Sequence, residues 1–193
     1  MISPEAVSVS LSTLVLISLA EIGDKSQLVC MTLAARHRPW PVIIGASVAF
    51  MVLNALAVIF GAGVAGWLPE RVTAAGVALL FAAFGIHAIR SHEEQPEEAI
   101  ETPGHSIFLT TLMLILVAEF GDKTQIAVAG LAGSMSPWPV YLGATAALIT
   151  ISVLGVWAGR TLFRYLPLVW LHRLGGGVFL LFAVFAAYRA ITA

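Results

Sequence analysis

Apolar residues fill this chain in long, nearly unbroken stretches, not in the alternating or one-faced patterns of soluble strands and helices. Six stretches approach or exceed the roughly 20 residues a helix needs to cross a bilayer core. They cover residues 7–35, 40–68, 72–89, 107–133, 138–166 and 168–191. The pattern predicts an all-α integral membrane protein of six transmembrane helices. A polar interval, His92-Glu93-Glu94-Gln95-Pro96-Glu97-Glu98-Ala99-Ile100-Glu101, parts the third stretch from the fourth. Pro39 and Pro41, and again Pro137 and Pro139, stand where helices should begin, since a first turn has no use for the missing N–H. Trp40 and Trp138 should then sit at the membrane interface.

The second half repeats the first at an offset of 98 residues. Pro39-Trp40-Pro41-Val42 with Gly45-Ala46 returns as Pro137-Trp138-Pro139-Val140 with Gly143-Ala144. Gly61 matches Gly159, Leu68-Pro69 matches Leu166-Pro167, and one inserted residue makes Arg90 match Arg189. The predicted units are a three-helix repeat at 1–91, an acidic cytoplasmic linker at 92–105 and a second three-helix repeat at 106–193. An odd number of spans per half sends the second half into the membrane from the other side. The halves should therefore be inverted repeats about an axis in the membrane plane.

The longest-conserved part of this internal repeat is also its most polar. Ala20-Glu21-Ile22-Gly23-Asp24-Lys25-Ser26-Gln27 returns as Ala118-Glu119-Phe120-Gly121-Asp122-Lys123-Thr124-Gln125. Ionisable groups at membrane depth are costly and usually mark a transport path. On a helix Glu21, Asp24 and Gln27 would share a face, as would Glu119, Asp122 and Gln125. If the two spans cross, four carboxylates and two amide oxygens converge. Hard divalent cations, Mn²⁺ included, suit such a set of oxygens. No His or Cys lies in either motif, which disfavours zinc or copper. Gly23 and Gly121 permit a local break. The first span needs one, because 29 residues make a straight helix of roughly 43 Å, against a core of roughly 30 Å. A break would free backbone carbonyls as further ligands.

Four carboxylates with Lys25 and Lys123 leave a formal charge of -2. One divalent cation or two protons would cancel it, and an empty ionised site is strongly disfavoured out of water. That is the logic of exchanging a cation for protons. Plainer readings stand beside this one. Glu21–Lys25 and Glu119–Lys123 could be intrahelical ion pairs, although this leaves the repeated Asp, Gly and Gln unexplained. The lysines could merely neutralise or snorkel. Ser26 and Thr124 could ligate the ion or bond a carbonyl one turn back. Gly61, Gly63, Gly66 and the run Gly175-Gly176-Gly177 allow close helix approach but carry no chemistry. His87 reads as a packed or interfacial residue.

Composition narrows the class further. The chain is 59% hydrophobic and 11% charged, less than half the charge of a typical soluble domain, which is about 25%. A net charge of -1 without basic runs gives no handle for nucleic acid. The single cysteine, Cys30, excludes an internal disulfide and reads as a packing residue. The first stretch lacks the basic residues of a signal peptide and is expected to be a retained span. Arg36, Arg38, Arg90, Arg160, Arg164 and Arg173 fall on one side, Arg71 and Arg189 on the other. The positive-inside rule makes the first side cytoplasmic and puts both termini outside.

Two E-x-G-D-[KR]-[ST] motifs, here Glu21 to Ser26 and Glu119 to Thr124, in two three-span halves resemble the Gdt-type divalent cation/proton antiporters. That family includes Golgi calcium and manganese transporters and bacterial manganese exporters. The resemblance covers essentially the whole chain. It implies that Glu21, Asp24, Glu119 and Asp122 bind the cation and exchange protons, with Ser26, Gln27, Thr124 and Gln125 assisting and Lys25 and Lys123 balancing charge. It implies export of Mn²⁺, or else Ca²⁺, from the cytoplasm across a bacterial inner membrane. The ion is then substrate, no resident cofactor is expected, and the protein is not an enzyme. The alternative from another class is an intramembrane enzyme using paired carboxylates. Homo-oligomerisation stays open.

Overall fold

A computed structural model describes residues 3–90, 106–158 and 168–192. The acidic segment 92–105, and Gly159, Arg160 and Arg164, lie outside the described residues, as do the side chains of Lys25, His87 and Arg173. Within the described residues the structure is entirely helical, with eight helices. They are α1 (Pro4–Glu21), α2 (Lys25–Arg36), α3 (Pro39–Ala65), α4 (Glu70–Arg90), α5 (Ile107–Glu119), α6 (Lys123–Ser134), α7 (Pro137–Ala158) and α8 (Leu168–Thr192). The starts follow the local chemistry. Ser3 caps α1 by accepting from the Ala6 N–H at 3.2 Å, ahead of Pro4. Ser106 caps α5 the same way, from Leu109 at 3.3 Å. Pro39 and Pro137 open α3 and α7, as the sequence led one to expect.

Among the described residues, three helices are long and apolar enough to cross a membrane: Pro4–Glu21, Pro39–Ala65 and Pro137–Trp157. Shorter apolar helices cover Arg71–Ile86, Ile107–Glu119 and Phe179–Thr192. The first and fourth expected spans are each two helices, parted at Ile22–Asp24 and Phe120–Asp122. The exterior is apolar, with Ile59, Phe60, Leu79, Val117, Leu181 and Val184 largely exposed. Meanwhile Glu21, Gln27, Asn54, Glu119 and Thr124 are buried. That inverts the soluble pattern and suits a bilayer as solvent.

Contacts between the halves come in pairs related by the 98-residue offset. The broken pair α1–α2 runs alongside α7 in the same direction: the Ser10 hydroxyl donates to the Pro139 carbonyl at 3.0 Å, and Gln27 reaches Ile151. The pair α5–α6 runs alongside α3 in the matching way, with Gln125 reaching Leu53. Gly143 faces the backbone of Ser10 and the side chain of Thr13, and its counterpart Gly45 faces Phe108 and Thr111. Equivalent helices of the two halves pack antiparallel. Trp40 at the start of α3 meets Trp157 near the end of α7, with ring centroids 6.4 Å apart. In α4 and α8, Phe81 faces Phe179 at 5.6 Å. Around that pair, Phe81–Phe182 and Phe84–Phe179 lie at 6.2 and 6.1 Å.

Glycines set the closest approaches. A Cβ at Gly61 would run into the backbone of Ala129 on α6, whereas one at Gly63 would meet nothing within 4 Å. Gly61 thus serves helix approach and Gly63 does not. Gly61→Ala should cost about 1–3 kcal/mol of stability through overpacking, and Gly63→Ala should be neutral or slightly stabilising. Thermal unfolding of both variants in the same detergent checks this. Equal midpoints would contradict the contact.

Candidate cation site

Each motif sits on a helix break, and the break has one construction used twice. Gly23 and Gly121 adopt φ values of +86° and +78°, in the left-handed region where a side chain is strained. The turn that follows is closed by Asp24 N–H to the Glu21 carbonyl at 3.1 Å, and by Asp122 N–H to the Glu119 carbonyl at 3.3 Å. The N–H left over at each glycine is taken by the glutamine four residues on. Gly23 donates to Gln27 Oε1 at 2.7 Å and Gly121 to Gln125 Oε1 at 2.6 Å. The other end of each amide crosses to the opposite half. Gln27 Nε2 donates to the Ile151 carbonyl at 3.2 Å, and Gln125 Nε2 to the Leu53 carbonyl at 3.3 Å. The glutamines therefore lock the breaks open and fasten them to α7 and α3.

The break changes how the acids meet. A single helical face, expected to align Glu21 with Asp24 and Gln27, does not exist, because the helix stops between them. Glu21 and Glu119 are the last residues of α1 and α5, while Asp24 and Asp122 immediately precede α2 and α6. Asp122 occupies the N-cap of α6 without a side-chain capping bond, so its carboxylate is not used on the helix. Glutamates at helix C-termini and lysines at N-termini oppose the helix dipole. Both motifs accept that local cost, and what they obtain is convergence. One carboxylate oxygen from each of Glu21, Asp24 and Asp122 lies within 4.8 Å of the others. Oxygens at that spacing can share one cation, since metal–oxygen bonds of roughly 2.1–2.6 Å put opposite ligands about that far apart.

Other predicted residues are placed around this trio. The Thr124 hydroxyl donates to Glu21 Oε1 from the other half. Ser26, its counterpart, is also buried. The Thr124 hydroxyl thus supports the opposite half's glutamate. Glu119 is buried at 7% exposure but stands outside the converging trio. Lys123 pairs with Asp24 and lies 4.0 Å from Glu21 Oε1, both in the first half. An intrahelical Glu119–Lys123 pair is thus replaced by one that joins the halves. Glu21 is 1% exposed, and its Oε2 has no hydrogen-bond partner among the described residues. A buried carboxylate oxygen without a partner, close to other acids, calls for an explanation. Cys30 is a buried free thiol, in line with a packing role.

Sequence reasoning missed the Leu53 and Ile151 carbonyls that anchor the glutamines, although the two residues stand 98 apart. It also missed Asn54, buried beside Leu53, whose amide donates to Thr145 Oγ1 at 3.1 Å and ties α3 to α7. A lone asparagine amid Met51, Val52, Leu53 and Ala55 was the available signal.

The chain is similar in sequence to a family of known proteins. The sequence profile of one family, described as divalent cation/proton antiporter GDT1, matches residues 9–96 and 107–193. A Vibrio cholerae protein named "Putative manganese exporter" is 32% identical over 176 residues, covering 89% of this chain and 86% of that protein. A GDT1-like protein of Synechocystis is 31% identical over 199 residues, covering 92% of this chain and 96% of the relative. The chloroplast protein PAM71 of Arabidopsis thaliana is 27% identical, with 94% of this chain aligned to 57% of its length. No solved structure matches. With both halves matched, and with each half's motif forming one side of a shared carboxylate cluster, the chain belongs to the GDT1 family of divalent cation/proton antiporters.

Proposed function

We propose that this protein exports Mn²⁺ from the cytoplasm in exchange for protons, binding the ion between its two helix breaks. The observation that carries the reading is the convergence of Glu21, Asp24 and Asp122 from both halves within 4.8 Å. Glu119 joins them when the site closes on the ion. Thr124 and Ser26 hold the glutamates, Gln27 and Gln125 hold the breaks, and Lys123 balances charge, as Lys25 does in the first half. An all-oxygen site suits Mn²⁺ and Ca²⁺ alike. The name of the Vibrio cholerae relative favours Mn²⁺.

The same reading arranges the chain in the membrane. Each broken pair, α1–α2 and α5–α6, makes one span, giving six spans in two inverted repeats at 1–91 and 106–193, joined by the cytoplasmic segment 92–105. Antiparallel packing of α3 with α7, and of α4 with α8, supports the inversion. Exposed Trp40 and Trp138 at the starts of α3 and α7 suit opposite interfaces of a bacterial inner membrane. The arginine distribution places both termini outside. The two breaks then lie near mid-membrane, where alternating access needs the site.

Removing one ligand should stop transport without unfolding the protein. Asp24→Asn and Asp122→Asn should each lower Mn²⁺ flux in proteoliposomes by more than about 100-fold, beyond the loss typical of groups that only support a ligand. Both variants should still elute as folded protein, because each buries one charge fewer. Normal flux in both would place the site elsewhere. Loss of folded protein in both would make the cluster a structural ion-pair network.

Coupling follows from the formal charge of -2 on the clustered groups. One divalent ion alternating with two protons moves no net charge. An imposed pH gradient should drive Mn²⁺ uphill in proteoliposomes, and a clamped membrane potential should leave the rate nearly unchanged. Strong dependence on potential would defeat the two-for-one scheme, and indifference to the pH gradient would defeat proton coupling.

A further inference from the structure

We propose that the Lys123 ammonium is a tethered cation that holds the metal's place on Asp24 and Glu21 and is displaced when a divalent ion binds. This rests on the reading of the cluster as the cation site and assigns a specificity role within it. Lys123 contributes from the second half, yet its ammonium pairs with Asp24 and lies 4.0 Å from Glu21 Oε1. Those are two of the three acids able to share an ion. A divalent ion bonded to the same oxygens would lie within a few ångströms of the ammonium if the lysine stayed. Repulsion between charges of two and one at that distance is severe in a poorly screened site. Metal and ammonium are therefore mutually exclusive on Asp24 and Glu21.

Local structure makes the lysine easy to move. Lys123 is the first residue of α6, at the positive end of the helix dipole, where a cation is disfavoured. Only the opposing carboxylates hold it there. Its side chain is 31% exposed, against 1% for Glu21 and 13% for Asp24, so it is the least enclosed of the three. A four-carbon stem lets it swing away without moving the helix.

The consequence is selectivity by charge. A monovalent ion offers the acids no more charge than the ammonium already does, and it must compete with a group held at high effective concentration by its own chain. A divalent ion brings the extra charge that wins the exchange. Lys123 thus weakens metal affinity while excluding Na⁺ and K⁺.

The test is metal binding to purified full-length protein in detergent, by calorimetric titration with Mn²⁺ with and without about 0.2 M NaCl or KCl, where bulk screening is already short-ranged. Lys123→Gln should bind Mn²⁺ tighter by about tenfold or more, because a nearby unit charge is removed. It should also become sensitive to Na⁺ and K⁺, while Lys123→Arg stays close to the parent. A purely structural ion pair predicts the opposite: weaker or unchanged binding and no new monovalent competition in Lys123→Gln. That result overturns the proposal. If Lys123→Gln does not fold, the parent protein decides. Saturating Mn²⁺ should raise the rate at which a water-soluble acylating reagent modifies Lys123, read by peptide mass spectrometry, and an unchanged or slower rate overturns displacement. Asp24-dependent Mn²⁺ binding in the parent with no effect of Lys123→Gln would sink this inference alone. Absence of Mn²⁺ binding by the parent would sink the reading of the protein as an Mn²⁺ exporter as well.

Discussion

A carboxylate held away from water needs a counter-charge or a proton, and Glu21 is held away from water almost completely. The rest of the site can be understood as the means of giving it company that is able to leave. Thr124 satisfies one oxygen from across the interface, while the other has no partner among the described residues. Asp24 and Asp122 bring further negative charge within reach, which raises the need for a cation. A fixed partner would end the matter structurally. An ion or protons that come and go turn the same requirement into transport.

Bringing those acids together inside a bilayer requires interrupting two helices, and interrupted backbone is tolerated there only when its polar groups are satisfied. The structure does this with one residue per break. Gln27 takes up the Gly23 N–H and spends its own amide hydrogens on the Ile151 carbonyl in the opposite half. Gln125 repeats the arrangement with Gly121 and Leu53. Local conformation and the interface between halves are thus fixed by the same side chains. Each break is thereby tied to the helix of the opposite half that anchors it, α7 for Gln27 and α3 for Gln125.

Much of this was legible in the sequence because membrane solvent makes the signals coarse. Long apolar runs located the helices, and the twin motif pointed to residues whose carboxylates converge. The excess length of the first span, together with Gly23 and Gly121, pointed to broken helices. What the sequence did not reveal was partnership. Its helical-face argument placed Glu21 beside Asp24 within one helix, whereas the chain turns between them and gathers acids across the halves. It offered Gln27 and Gln125 as ligands without seeing that backbone donors and acceptors claim both ends of each amide. It could not show that Lys123 serves the other half's acids. Those facts depend on which helix lies beside which, and a one-dimensional pattern carries that only where the repeat pairs residues at its own offset, as with Leu53 and Ile151.

The central claim is that one cluster binds a divalent ion and protons in alternation. The most direct measurement is proton release on Mn²⁺ binding to the purified protein in weakly buffered detergent solution near neutral pH, because ligands must give up protons as a metal displaces them. The account predicts about two protons released per Mn²⁺ bound, matching the formal charge of the cluster. Mn²⁺ bound stoichiometrically with no change in solution pH would contradict it.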